Sequence, residues 1–352
     1  MSPRLRRALT GPVGRTVLSV AVVVAVFAGV LPQIADYSEA WQLVRSLTWP
    51  EAVLVGVVAA ANIVSYAPLW TAALPGLRLR QALLSDLAST TISNTVPVGF
   101  AFGVGTTVAM YHSFGFPAGA ITRAIGLAGV WNNLVKLAMP ALALVGVLLV
   151  ADVTAALAVA AVLGSAVLLL AVVALVLVLT HRAAAVALAA AAERAVRAVA
   201  GGLGRPRPTG WVARTDRFRA DSLEVLRHRW PHLSAAAVAS HLALFLVLLV
   251  CLRTVDGDGS DAPWLLVLAV FSVTRLVTIV PITPGALGVA ELSYVAGLTA
   301  VGVGADAAAG AVLLFRFLTW FVPIPLGVAA WLAWRRGAGQ APPVAGTVPA
   351  VG

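Results

Sequence analysis

The chain carries little charge for its length. Only 11% of its 352 residues are Asp, Glu, Lys or Arg, whereas soluble domains carry about 25%. Lysine is nearly absent, since Lys136 is the sole example, and Cys251 is the single cysteine. One cysteine excludes an intrachain disulfide and a cysteine metal cluster. The scarcity of charge and the 61% hydrophobic content together indicate an integral membrane protein.

The formal net charge of +10 does not indicate a nucleic-acid partner. The arginines cluster in short segments between apolar runs, as the positive-inside rule expects for cytoplasmic loops. Residues 1–15 form one such basic segment and are predicted to be cytoplasmic. The apolar run 16–35 is too long for a typical signal peptide and no small-residue cleavage site closes it, so it is predicted to be a retained first span.

The remaining apolar runs predict an all-α, polytopic membrane bundle of about six to eight full spans. The membrane domain is expected to cover residues 16–336, with the basic stretch 181–232 as a cytoplasmic loop near anionic lipid. Arg335 and Arg336 place the C-terminal end in the cytoplasm. The Gly-, Ala- and Pro-rich tail 337–352 is predicted to be disordered.

Two long apolar blocks, 81–150 and 263–334, are interrupted by helix breakers. The arginine distribution makes the first block enter from the cytoplasm and leave outside, and the second do the reverse. Both blocks contain broken-helix signals, among them Pro97, Pro281 and Pro284. This pattern predicts an inverted repeat with discontinuous helices around a midplane site. Each block is expected to begin with a re-entrant hairpin. Three full spans in each block would agree equally well with the sides of the membrane on which the blocks begin and end.

The segment 281–291 is the most specific motif in the chain. Thr283 is predicted to cap a helix whose first residue is Pro284. The free N–H groups at such a helix start attract phosphate or carboxylate. Gly285 and Gly288 allow a headgroup or a neighbouring helix to approach closely. The alternative is a kinked helix that serves packing alone.

Glu291 is expected to lie about two turns into that helix, where a buried carboxylate costs ~2.5 kcal/mol or more. It is predicted to pair with Arg316 or Arg275, or to titrate. A second polar patch surrounds Lys136, with two asparagines one turn earlier; helix–helix contact is its alternative role. The candidate substrate-binding residues are Arg316, Lys136, Glu291, Arg275, Thr283, Gly285, Gly288, Asn132 and Asn133.

The charges within the apolar blocks are net positive, which suits an anionic ligand such as a lipid phosphate. They are Asp86, Arg123, Lys136, Arg275, Glu291 and Arg316. Asp86 is the predicted counter-charge of Lys136, and Arg123 is the predicted interface anchor. The histidines are scattered, with His112 and His241 expected near membrane edges. Since no catalytic or metal-binding spacing occurs, no enzyme activity, metal or cofactor is expected.

The segment 281–291, followed by Arg316, resembles the lysylphosphatidylglycerol synthase transmembrane-region family, also called the flippase-like domain family. The family pattern Pro-x-Thr-Pro-Gly-Gly-x-Gly-x-x-Glu is matched except that Ala286 replaces the second glycine. The resemblance extends from about Thr16 to Trp334. It implies a multi-span protein of a bacterial plasma membrane. This chain is expected to be a stand-alone member without the aminoacyl-transferase domain of the fused relatives, and the arginine positions predict that both termini are cytoplasmic.

In fused members of that family the domain is the flippase for aminoacylated phosphatidylglycerol, and other relatives handle polyprenyl-linked sugars. The resemblance therefore implies a flippase or transporter for an anionic phospholipid or a polyprenyl-phosphate-linked sugar. The alternative is a non-transporting scaffold or accessory subunit of a separate lipid synthase or glycosyltransferase. A third hypothesis is an intramembrane enzyme with an acid–base site at Glu291.

Overall fold

The computed structural model describes residue 42 and residues 44–96, 99–150, 155–202, 210–256, 262–278 and 286–338. Several predicted features lie outside these residues. They are the basic segment 1–15, the first span 16–35, the tail from residue 339 onward, the breakers Pro97, Pro281 and Pro284, and the site residues Thr283 and Gly285.

The described residues form helices joined by short turns. These helices are α1 (Trp49–Ser65), α2 (Ala67–Ala73), α3 (Leu79–Thr95), α4 (Gly99–Ser113), α5 (Ala118–Val150), α6 (Ala155–Thr180), α7 (Arg182–Gly202), α8 (Trp211–Asp256), α9 (Trp264–Val277), α10 (Val289–Ala300), α11 (Ala305–Arg316) and α12 (Pro323–Ala338). A π-helical turn, Phe317–Phe321, joins α11 to α12. No strand occurs in this part of the chain, so the predicted all-α fold is confirmed.

Local sequence signals set several helix ends. At the start of α1, the backbone N–H of Thr48 donates to Glu51 Oε2 at 2.7 Å. This contact satisfies one of the backbone groups that a helix start leaves free. Gly115 and Gly302 adopt φ of +92° and +96° in the turns after α4 and α10. Glycine suits both turns because it has no Cβ.

Five helical stretches within the described residues have the length and composition to cross a bilayer. They are Trp49–Ala73, Ala118–Leu148, Val162–Thr180, Val212–Val255 and Ala305–Arg336. The Val162–Thr180 stretch of α6 has none of its apolar window buried inside the protein. Its side chains therefore face outward, where lipid tails match them in polarity. The polytopic membrane bundle is confirmed.

The basic stretch 181–232, which connects two apolar spans, is mostly helical. It forms α7 and the first half of α8, which runs for 46 residues through Pro231 into the apolar bundle. Arg and Glu are good helix formers, so a polar segment between spans readily continues a helix. Arg182 Nε of α7 donates to Asp216 Oδ2 of α8 at 2.9 Å. This hydrogen bond connects the two helices.

Each block begins with two short helices that pack together. The pair α3–α4 has 17 and 15 residues, and the pair α9–α10 has 14 and 12 residues. A full span needs about 20 residues, so these lengths fit re-entrant hairpins better than full spans. In each block a longer helical stretch follows, α5 in the first and α11–α12 in the second.

The two blocks pack reciprocally. Helix α3 of the first block packs against α12 of the second, and α9 of the second packs against α5 of the first. Thr91 Oγ1 of α3 donates to the carbonyl oxygen of Pro323 at 3.1 Å, at the start of α12. The helices follow the same order in both blocks, and the first helix of each block packs against the long helical stretch of the other block. Two repeats related by a pseudo-twofold axis produce this arrangement.

A glycine lies at each of these two contacts between the blocks, α3 with α12 and α9 with α5. A Cβ on Gly327 would collide with the Thr91 hydroxyl and the Leu87 carbonyl oxygen of α3. A Cβ on Gly146 of α5 would lie 3.1 Å from a methyl group of Leu265 on α9. The first contact involves backbone and cannot give way easily, whereas the second meets a movable side chain.

Gly327→Ala is therefore expected to lower the free energy of unfolding in detergent by about 1–3 kcal/mol, the usual cost of overpacking. Gly105→Ala in α4 is the matched control because its Cβ would meet nothing within 4 Å. That control should be neutral or slightly stabilising, since alanine favours helix. Thermal unfolding of the purified proteins measures both, and equal melting temperatures would contradict the proposed contact.

Candidate functional site

A buried ion pair connects the second hairpin to the long helix that follows it. Arg316 Nε donates to Glu291 Oε1 at 2.5 Å, across 25 positions in the chain. The Glu291 side chain is 2% exposed and that of Arg316 is 16% exposed. The prediction that Glu291 pairs with Arg316 or Arg275 is confirmed for Arg316.

Glu291 also caps its own helix. The backbone N–H of Gly288 donates to Glu291 Oε2 at 2.6 Å, and Gly288 has a φ of +81°. Helix α10 therefore begins at Val289, and Glu291 lies in its first turn. The expectation that Glu291 lies two turns into a helix is wrong, because the left-handed backbone at Gly288 prevents an earlier helix from continuing.

Lys136 and Arg275 form the second charged group of the interior. Lys136 lies near the middle of the apolar stretch Ala118–Leu148, and Arg275 lies in the last turn of α9. The two side chains interact electrostatically. The Nε atom of Arg275 is buried and has no hydrogen-bond partner among the described residues. Two half-buried cations therefore lie near enough to influence each other inside the bundle.

Three further side chains interact electrostatically with Arg275. They are Tyr66 at the end of α1, His241 in α8 and Tyr294 in α10. His241 and Tyr294 are 1% and 3% exposed. We call these three residues with Lys136 and Arg275 the central polar cluster. Tyr294 also interacts with Glu291 and Arg316, so the cluster is continuous with the ion pair.

Sequence reasoning missed the aromatic and histidine members of this cluster. His241, which is 1% exposed, was not predicted to be a binding residue. The available signal was a histidine inside the apolar half of α8, where a polar side chain requires a partner. Tyr66 and Tyr294 gave no signal, because their approach to Arg275 depends on how α1, α9 and α10 pack.

Asp86 does not pair with Lys136 as predicted. No ion pair joins them in the described part of the chain; instead Asp86 Oδ1 accepts a hydrogen bond from Trp70 Nε1 at 3.0 Å. Asp86 also interacts electrostatically with Tyr66 and Tyr111. The carboxylate is fixed on the α2 side of the bundle, because the indole N–H is a donor that requires an acceptor when buried.

The two asparagines near Lys136 differ in exposure. Asn133 is exposed and its Nδ2 donates to the carbonyl oxygen of Gly129 at 2.9 Å, one turn earlier in the same helix. Asn132 is half-buried. The structure therefore leaves the Asn133 side chain exposed, whereas Asn132 and Lys136 are half-buried.

Lys136 and Arg316 occupy corresponding places in the two blocks. Lys136 lies ten residues before Gly146, and Arg316 lies eleven residues before Gly327, the two glycines at the contacts between the blocks. The π-helical turn after Arg316, closed by a 2.9 Å bond from the Val322 N–H to the Phe317 carbonyl, accommodates one extra residue. Each block thus directs one cation inward from its long helix.

A comparison with known protein families finds a match. The family model for the lysylphosphatidylglycerol synthase transmembrane region matches residues 15–327. The chain belongs to this family. Comparison with curated proteins finds no match. As a member of the lysylphosphatidylglycerol synthase transmembrane-region family, it is a multi-pass membrane protein of a family that acts in lipid metabolism or transport.

The backbone explains two glycines of the family pattern. At the position of the second glycine this chain has Ala286, whose φ is +55°. The left-handed conformation costs a non-glycine residue about 1–2 kcal/mol, so glycine suits this position on conformational grounds. Gly288 matches the pattern and adopts φ of +81°. Its role in the described structure is to begin α10 and donate to Glu291.

Glu291→Gln is expected to lower the free energy of unfolding by about 3–5 kcal/mol, because it removes the buried charge that balances Arg316. The double variant Glu291→Gln/Arg316→Met should lose less than the sum of the single changes. Thermal and denaturant unfolding in detergent measures all three.

The matched control is Arg182→Met at an ion pair whose arginine is 70% exposed. It should change stability by less than about 1 kcal/mol. Strict additivity of the two buried changes would contradict a direct ion pair between Glu291 and Arg316.

Proposed function

We propose that the protein is a lipid flippase that moves an anionic phospholipid or a polyprenyl-phosphate-linked sugar between the two leaflets of a bacterial plasma membrane. Both termini are cytoplasmic in this proposal. The central polar cluster holds the headgroup phosphate, and the two reciprocally packed blocks carry it between the leaflets.

The observation that carries the proposal is the excess of positive charge among the buried and half-buried side chains of the interior. Glu291 balances Arg316 at 2.5 Å, and Asp86 is bound to Trp70. Among the described residues, no carboxylate lies within ion-pair distance of Lys136 or Arg275. A cation at the centre of a bilayer costs about 2.5 kcal/mol or more, and two neighbouring cations repel each other. An anionic ligand between them removes both costs.

Phosphate is the anion that fits this pair best. A guanidinium group binds phosphate oxygens with two parallel hydrogen bonds, and a lysine ammonium adds a point charge beside it. Arg275 provides a buried Nε without a partner in the described part of the chain. The anions available at this depth of a membrane are lipid headgroups, which supports a lipid rather than a water-soluble substrate.

The packing of the blocks supports transport over static binding. Inverted repeats place a substrate site at their interface and expose it to either side as one repeat moves against the other. Here α3 packs on α12 and α9 packs on α5, and both blocks direct a cation towards the interior. A scaffold protein does not require such a duplicated, charged interior.

The test is lipid movement in proteoliposomes that contain the purified protein and a fluorescent anionic lipid. Wild-type protein is expected to move the lipid between leaflets. Lys136→Met and Arg275→Met are each expected to slow the movement at least about tenfold, since each removes a charged hydrogen-bond donor to the phosphate.

Arg80→Met is the matched control, because Arg80 is exposed at the start of α3, and it should leave the rate unchanged. Melting temperatures establish that all variants are folded. A wild-type protein that moves no anionic lipid contradicts the proposal. If it instead co-purifies stoichiometrically with one lipid synthase or glycosyltransferase, the accessory-subunit alternative replaces it.

A further inference from the structure

His241 is buried, and its two ring nitrogens differ in hydrogen bonding among the described residues: one has a partner and the other has none. Its Nδ1 lies 3.0 Å from the carbonyl oxygen of Ala237, one turn earlier in α8. A carbonyl only accepts, so Nδ1 carries a proton, and Nε2 of the neutral ring is then an acceptor. Nε2 is buried and has no hydrogen-bond partner among the described residues.

A phosphate group alone cannot provide hydrogen-bond partners for both His241 and the two cations near it. The charged groups that interact with the ring are Arg275 and Lys136, both of which only donate hydrogen bonds. Ser240 is 3.5 Å from Nδ1 and already donates to the Ala237 carbonyl. A phosphodiester supplies acceptors for the two cations but has no proton for Nε2. A ligand that satisfies this group of side chains carries a donor beside its phosphate.

The charge of the cluster selects the kind of donor. An ammonium group can donate to Nε2, but it would bring a third positive charge beside Lys136 and Arg275. A hydroxyl group donates without that repulsion. Tyr66 and Tyr294 line the same cluster through Arg275, and their rings and hydroxyls suit a polyol or a sugar.

We propose that His241 Nε2 accepts a hydrogen bond from a headgroup hydroxyl, so that the substrate is a hydroxylated phosphodiester lipid. The class includes phosphatidylglycerol and polyprenyl-phosphate hexoses. It excludes headgroups that present a free ammonium, such as lysylated phosphatidylglycerol, and headgroups that end in an alkyl group. This inference rests on the proposed flippase function and assigns its substrate class.

The experiment compares lipids of matched charge in the same proteoliposomes. Phosphatidylglycerol and phosphatidylethanol carry the same negative phosphodiester, but phosphatidylethanol has no hydroxyl. Wild-type protein is expected to move phosphatidylglycerol about fivefold faster or more, the effect of one hydrogen bond. A polyprenyl-phosphate hexose compared with a polyprenyl ethyl phosphodiester, which carries the same single negative charge and no hydroxyl, distinguishes the second source of the same chemistry. Lysylated phosphatidylglycerol is expected to be moved more slowly than either hydroxylated lipid.

Variants of His241 identify the group that reads the hydroxyl. His241→Leu should slow the hydroxylated lipid to the rate of its hydroxyl-free partner and leave that partner unchanged. His241→Gln, which keeps an acceptor, should retain part of the preference and covers the case in which the leucine variant fails to fold. His112→Leu is the matched control, because His112 is exposed at the end of α4.

The outcomes separate the two proposals. Equal rates for the hydroxylated and hydroxyl-free lipids, with both slowed by Lys136→Met, overturn the inference and leave the flippase function standing. A preference that survives His241→Leu also overturns it, as does rapid movement of the lysylated lipid. Movement of a hydroxylated polyprenyl lipid alone supports the inference and identifies the source. If none of the lipids moves, the flippase function fails and the inference fails with it.

Discussion

The ion pair between Glu291 and Arg316 fixes the geometry on which the rest of the interior depends. One carboxylate accepts from the Gly288 N–H at the start of α10 and from Arg316 at the end of α11. Both contacts lie inside an apolar bundle, where an unbalanced charge or a free backbone N–H is costly. The second hairpin is therefore held against its following helix at the point where the backbone is left-handed.

The two blocks use the same helix order but different charges. Both direct a cation inward from the long helix, and both contain a close glycine contact with the hairpin of the other block. Among the described residues, only the second block provides a carboxylate in an ion pair with its cation. The first block leaves Lys136 beside Arg275, across the interface between blocks. The duplicated fold explains the position of the cluster, and the missing carboxylate explains why an anion is its expected partner.

The sequence predicted those features that depend on local composition. Apolar runs identified the spans and indicated the all-α fold. It placed the start of α10 wrongly, because prolines are strong break signals while capping by Glu291 depends on the conformation of Gly288.

The remaining errors concern contacts between distant parts of the chain. His241, Tyr66 and Tyr294 meet Arg275 only through the packing of four helices, and no periodicity reports such packing. Asp86 was assigned to Lys136 on charge alone, whereas Trp70 offers a closer donor. Ion-pair partners within the membrane can be limited by charge and depth, but the choice among them depends on the tertiary structure.

The central claim is that Lys136 and Arg275 together hold the phosphate of an anionic lipid. Mass spectrometry of the lipids that remain with the detergent-purified protein tests this claim directly. The account predicts that wild-type protein retains one anionic phosphate lipid above its share of the membrane, and that Lys136→Met/Arg275→Met loses it. Identical lipid profiles for the wild type and this double variant would contradict the account.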